Sequence, residues 1–195
     1  CSAVIQKNIH QKGHNGFYYD ADIFFSLGEL TANSALNLGA RIELIVPVGS
    51  FYLGDYLRNN DPDIKYTWDI VNFGGNTHYP GSICDAYETY WDDYLEHLKW
   101  MVKLSIESPD LRIAFKHHNN FRNQSTEGKI FENSNVKMID QSLESYEIAF
   151  QTNIIVSWGS TMVTELKELG KNSFFINPGG RNHQFVSREM ADYSA

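Results

Sequence analysis

The feature that most constrains this chain is the rhythm that sets in at Trp68. From there, short unbroken apolar segments alternate with longer amphipathic ones. The apolar segments are Trp68–Phe73, Leu111–Phe115, Val136–Ile139, Asn153–Ser157 and Ser173–Ile176. Unbroken runs, as opposed to alternating ones, suit strands that are covered on both faces. The clearest helix spans 86–108, where Tyr87, Tyr90, Trp91, Tyr94, Leu95, Leu98, Met101, Val102 and Ser105 recur at helical spacing before Pro109-Asp110 closes it. A second is expected over 142–151, capped by Ser142 with Ser145 as an alternative start, and a third over 160–169, stopped by Gly170. There is room for a further helix between Phe115 and Val136. Alternation of this kind predicts an α/β fold, a doubly wound parallel sheet with helices on both faces.

Upstream the pattern is shorter. Strands are expected at Ser2–Ile9, Asp22–Ser26 and Arg41–Val48, with a helix from Thr31, its N-cap, to Leu38 before Gly39. The pattern weakens from Phe51 to Thr67, and the turn-rich Asn59-Asn60-Asp61-Pro62-Asp63 marks the expected domain boundary. Residues 1–62 then form the remnant of a preceding α/β domain with its linker, and 63–195 a ligand-binding α/β domain. The chain starts at Cys1 and not at Met, and stops at Ala195 soon after an apparent helix start, so it reads as a piece of a longer polypeptide.

Composition narrows the function. Hydrophobic residues make up 42% and charged residues 21%, ordinary globular usage that excludes a disordered chain. No apolar run approaches the roughly 18 residues of a membrane-spanning helix; the longest candidate, Ile42–Val48, is broken by Glu43 and Pro47. A net charge of −8 argues against a general nucleic-acid or anionic-membrane surface and leaves room for a local basic pocket. Cys1 and Cys84 fit neither a metal spacing nor a disulfide framework, and a reduced, cytoplasmic setting is the default. No Walker loop, GxGxxG, HExxH or GxSxG occurs.

In doubly wound sheets ligands bind beyond the carboxyl ends of the strands. Polar or glycine-rich loops are expected at such ends, beginning with Gly74-Gly75-Asn76. The strongest follows Asn153–Ser157. Gly159 lets the backbone approach a ligand, while Ser160 and Thr161 open a helix whose unpaired N–H groups and positive dipole end favour a phosphate. Glu165 lies one turn on, on the same face as Thr161, placed to accept from ribose hydroxyls. The plainer alternative is that Ser160 simply caps a connecting helix.

At another strand end stand Lys116-His117-His118-Asn119-Asn120. Lys116 could pair with a phosphate, and His118 could donate to it or move a proton. Asn177-Pro178-Gly179-Gly180-Arg181 could form an anion-binding nest, with Gly179 and Gly180 supplying N–H groups and Arg181 a charge. Near the start, His14 among Gly13 and Gly16 is a candidate base for a sugar hydroxyl. The alternatives are a polar loop, a tight turn with a solvated arginine, and a plain loop, respectively.

Taken together these segments resemble GT-B glycosyltransferases of bacterial surface-polysaccharide biosynthesis. Ile113-Ala114-Phe115-Lys116-His117-His118-Asn119 resembles that family's strand ending in Lys-x-His-Pro, with Asn119 in the place of Pro. The run from Val136 through Asp140, Ser145–Ala149, Ile154–Thr161, Glu165 and Gly170-Lys171 to Ile176 resembles its succession of strand, short helix, strand, Ser-Thr turn, Glu-bearing helix, Gly-Lys and final strand. Asp20–Gly28 followed by Val46–Ser50 resembles the end of its first, acceptor-side domain.

The resemblance implies a nucleotide-activated sugar as donor and a glycan as acceptor. Ser160 and Thr161 would then meet the donor's phosphates, Glu165 its ribose, Lys116 and His118 the donor, and His14 would act as base from across the cleft. It implies a metal-independent reaction with no cofactor, and a cytoplasmic protein for which peripheral association with the inner membrane stays open. Much of the N-terminal domain would be missing. A nucleotide-sugar 2-epimerase of the same fold and a non-catalytic binding module are the rival readings.

Overall fold

A computed structural model describes residues 1–6, 20–37, 39–61, 65–75, 91–118, 124–176 and 193–194. The chain divides into two compact units, Cys1–Asp61 and Pro62–Ala195.

The first unit holds strands β1 (Ala3–Ile5), β2 (Asp20–Ser26) and β3 (Arg41–Pro47), all parallel and in the order β1-β2-β3. Helix α1 (Glu29–Asn37) packs Ala35 against Phe24 and Ala40. It starts two residues before Thr31, with Ala32 N–H donating to Gly28 O at 3.0 Å, so Thr31 lies inside it and does not cap it. Gly39, at φ +101°, ends it as expected. Helix α2 (Phe51–Asn59) was not foreseen. Gly49, at φ +77°, turns the chain out of β3, and Ser50 caps the helix by accepting from Leu53 N–H at 3.3 Å. Its apolar residues Phe51 and Tyr52 are exposed, so no buried stripe marks it in the sequence.

The second unit is built on β4 (Trp68–Phe73), β5 (Ile113–Lys116), β6 (Lys137–Met138), β7 (Thr152–Ser157), β8 (Asn172–Phe175) and β9 (Tyr193–Ser194). All its pairings are parallel, in the order β6-β5-β4-β7-β8-β9. Counted within the unit this is 3-2-1-4-5-6, the doubly wound order, and its switch point falls between β4 and β7. The α/β class expected from the alternation is therefore the one observed.

Helix α3 (Trp91–Glu107) buries Trp91, Tyr94, Leu98, Met101 and Ser105 of the expected stripe, while Leu95 and Val102 are half-buried and Tyr87 and Tyr90 lie outside the described residues. Each fully buried large side chain contributes roughly 1.5–3 kcal/mol. Trp91, Tyr94, Leu98 and Met101 form the core with Ile70, Ile113, Phe115, Phe131 and Val156. Helix α4 (Gln124–Phe131) occupies the room left after β5. Helix α5 (Ser145–Phe150) is capped by Glu144, whose carboxylate accepts from Tyr146 and Glu147 N–H. Ser142 belongs instead to a turn in which its N–H and hydroxyl both donate to Asp140 Oδ1, at 2.8 and 2.7 Å.

Helix α6 (Thr161–Glu168) ends in a Schellman arrangement. Gly170, at φ +76°, donates to Lys167 O and Lys171 N–H to Leu166 O. The Lys171 ammonium then reaches back to Phe150 O at 2.8 Å and Thr152 O at 3.3 Å, closing the end of α5.

Candidate functional site

The register across the second sheet sets the site. Lys116 pairs with Phe73, Phe73 with Ser157 and Ser157 with Phe175, so four strands end on one row. Gly74-Gly75, His117-His118, Trp158-Gly159-Ser160 and Ile176 consequently leave the sheet along the same carboxyl edge. The ends are tied to one another: Gly74 N–H donates to Lys116 O at 2.8 Å, Ser157 Oγ to Phe73 O at 2.7 Å, and Ile176 N–H to Ser157 O at 3.1 Å.

At the switch point the β7–α6 turn is organised by two serines. Ser157 Oγ accepts from Gly159 N–H at 3.2 Å. Ser160 is the N-cap, extended at φ −105°, ψ 133°, and accepts from Met162 N–H at 3.3 Å. The first turn of α6 carries no acidic residue. Among the described residues, a β-carbon built on Gly159 would meet no atom within 4 Å. A positive helix end whose first turn carries no carboxylate suits an anion.

Glu165 follows on α6, half-buried, and Tyr146 of α5 donates its hydroxyl to Glu165 Oε2 at 2.6 Å. Ser160, Thr161 and Glu165 thus share one short helix, as expected from their spacing. Gly74 and Gly75 close the β4 side. A β-carbon on Gly74 would lie 3.0 Å from His118 N and 3.2 Å from Lys116 O, and one on Gly75 3.2 Å from the Trp158 ring, so both glycines are set by close approach.

Lys116, read as a phosphate partner, is 1% exposed, and its ammonium faces Asp140 O and Gln141 O at 3.4 and 3.5 Å. Burial holds its pKa below the ordinary lysine value, with the charges of Glu144 and Asp140 opposing the shift. In this arrangement it ties β5 to the loop before α5. His118 is half-buried at the same strand end. His14, Gly179, Gly180, Arg181 and Asn119 lie outside the described residues.

A group that the residue pattern did not disclose sits beside this edge. Glu127 of α4 is 2% exposed, and its two carboxylate oxygens are taken by the Tyr94 hydroxyl and by His117 Nδ1. Tyr94 also accepts from Gly75 N–H at 3.3 Å and meets the Trp158 ring edge-to-face at 5.7 Å. Burial first, and then the Glu127 charge, push the Tyr94 phenol well above its ordinary pKa, so it acts as a donor. The nearest sequence signal is the face Tyr94 shares with the α3 stripe. Among the described residues, no cluster of three or more His, Cys, Asp or Glu could hold a metal. Nor is any helix among them long and apolar enough to cross a membrane.

Fold and edge geometry define an open α/β sheet whose switch point lies between β4 and β7. Compared with solved structures, the chain is similar to S. aureus MnaA in its co-structure with UDP, at 18% identity and a TM-score of 0.52, over 80% of this chain and 43% of that one. It also matches a UDP-GlcNAc 2-epimerase from Neisseria meningitidis bound to UDP-GlcNAc, at 14% identity and a TM-score of 0.39, over 80% and 43% respectively. The chain thus spans less than half the length of either. No family model matches it, and no curated protein does. At 18% identity the likeness to MnaA establishes the fold alone.

Proposed function

We propose that the 63–195 domain binds a nucleoside-diphosphate sugar and serves an enzyme that transfers the sugar to a surface glycan. The observation that carries this is the turn from β7 into α6. It stands at the switch point, with Ser160 capping, no described atom within 4 Å of a β-carbon on Gly159, no acid in the first turn and Glu165 one turn along. Amides and hydroxyls there would hold the diphosphate and stabilise it as it departs. The Glu165 carboxylate would accept from the ribose hydroxyls. The fold shared with a protein solved with UDP supports a ligand of this class. On this reading residues 1–62 belong to the acceptor-side domain, and the protein works in the cytoplasm, where the activated donor is made.

Epimerisation of a nucleotide sugar is the second reading. It uses the same contacts and is favoured by the acid–histidine pair Glu127–His117 at the crevice edge, since epimerisation needs proton transfer. UDP titration of the chain by calorimetry tests the common core: binding that Ser160→Ala and Glu165→Gln both weaken is expected, and absence of binding overturns it. Incubating the full-length protein with a nucleotide sugar separates the two. Epimerised sugar formed without acceptor supports epimerisation, and transfer only when a glycan is added supports the transferase.

A further inference from the structure

His117, and not its neighbour His118, is the histidine that this fold prepares for a ligand. A carboxylate as buried as Glu127 costs several kcal/mol unless it is paired and hydrogen-bonded. Here both oxygens are paired, one by a tyrosine from α3 and the other by the His117 ring. The effect on that ring is specific. With Nδ1–H given to the carboxylate, the tautomer and orientation are fixed, and Nε2 is the atom left to act. Among the described residues Nε2 has no hydrogen-bond partner.

The placement is equally specific. His117 is the first residue beyond β5, beside Gly74-Gly75 at the end of β4. The same Tyr94 that braces Glu127 holds Gly75 and packs on Trp158, so the network touches three strand ends that border the crevice. A purely structural cluster pinning α3, α4 and β5 together would be met more simply by apolar side chains of similar volume.

We propose that His117 contacts the terminal phosphate of the bound nucleoside diphosphate through Nε2, with Glu127 and Tyr94 as positioning residues. This rests on the nucleotide-binding reading above. The imidazole then stands between Glu127 at Nδ1 and the phosphate at Nε2. The neighbouring groups are Tyr94 on α3, Glu127 on α4, Lys116 at the end of β5 and His118 beyond it, and Lys116 faces away toward Asp140 O and Gln141 O.

The test uses the 195-residue chain, UDP, and nitrogen-15 spectra of the histidine rings. In the unliganded protein His117 should be protonated at Nδ1, and adding UDP should shift its Nε2 signal. His117→Gln should weaken UDP binding about tenfold or more, the scale of one charge-assisted hydrogen bond, while His118→Gln stays within about twofold. Glu127→Gln should lose the fixed tautomer together with affinity, which a bracing role alone would not produce. If UDP shifts the amides of Gly159 and Ser160 while the His117 ring is unmoved, the proposal is wrong and the nucleotide reading stands. A larger loss in His118→Gln than in His117→Gln also overturns it. If UDP leaves every signal of the unmutated chain unchanged, the nucleotide reading falls and takes the proposal with it. The ring spectrum of the unmutated chain decides the matter even where a variant fails to fold.

Discussion

The Tyr146 hydroxyl donates to Glu165 Oε2 at 2.6 Å, joining the short helix α5 to the helix that opens the switch-point turn. One oxygen of the carboxylate assigned to ribose is thereby fixed, which limits the ways the other can point. Tyr146→Phe removes the bond and keeps the ring. UDP affinity is expected to fall by about three- to tenfold, a neutral-to-charged hydrogen bond's worth, with the preference for UDP over its 2′,3′-dideoxy analogue reduced. Calorimetry with both nucleotides measures this. Equal losses for the two would show that Tyr146 supports packing and not ribose recognition.

Two glycines of the crevice should respond in opposite ways. Among the described residues nothing stands within 4 Å of a β-carbon on Gly159, so Gly159→Ala should leave the unfolding midpoint unchanged and weaken UDP binding. Gly74 is hemmed in at 3.0 Å by His118 N and at 3.1 Å by the Phe115 ring. Gly74→Ala should therefore destabilise by about 1–3 kcal/mol, as overpacking does. Denaturant curves of both variants, run beside UDP titrations, give the comparison. A destabilised Gly159→Ala with unaltered affinity would contradict the reading of the turn.

Acid should weaken the fold through His97. Its Nε2 lies 2.8 Å from Asn72 Nδ2, and its ring stacks on Tyr94. Burial lowers its pKa from 6.5 to about 3, the Ile176 backbone opposing the shift only in part. Between those values the unfolded chain takes up a proton that the native state refuses, so stability rises with pH across this window. The loss on acidification is expected to be about 1.4 kcal/mol per pH unit below about 6.5. Urea curves at pH 7.5 and 5.5 for the native chain and for His97→Gln check it, and the variant should show a shallower dependence. Parallel slopes would mean that other groups set the acid response.

Lys171 offers a contrast with the resemblance that drew attention to Gly170-Lys171. Its ammonium reaches Phe150 O and Thr152 O and lies over the rings of Tyr66 and Phe150, at 5.1 and 5.4 Å from their centroids. Lys171→Met should cost about 1–3 kcal/mol of stability, because two carbonyls lose a charged donor, and should leave UDP affinity unchanged. A selective loss of affinity would return this residue to the ligand site.

The sheet was legible because its strands are short apolar runs with no alternation, and Trp68–Phe73 matched residue for residue. The Ser160 cap was legible because a cap is a local signal. Helix α2 escaped because Phe51 and Tyr52, at 51% and 63% exposed, break any buried stripe. The Tyr94–Glu127–His117 group escaped for another reason. Its members come from α3, α4 and the end of β5, and no periodicity links positions 94, 117 and 127 before the sheet brings their elements together. For the same reason adjacent histidines could not be ranked from sequence, although the folded chain gives one of them a buried carboxylate.

The common row on which β4, β5, β7 and β8 end has an evolutionary corollary. Because the frame is complete at that row, the segments beyond it can lengthen, shorten or change chemistry without disturbing strand pairing. A lineage built on this frame can therefore exchange one ligand for another by editing the segments beyond the row, while the ladder beneath is inherited intact.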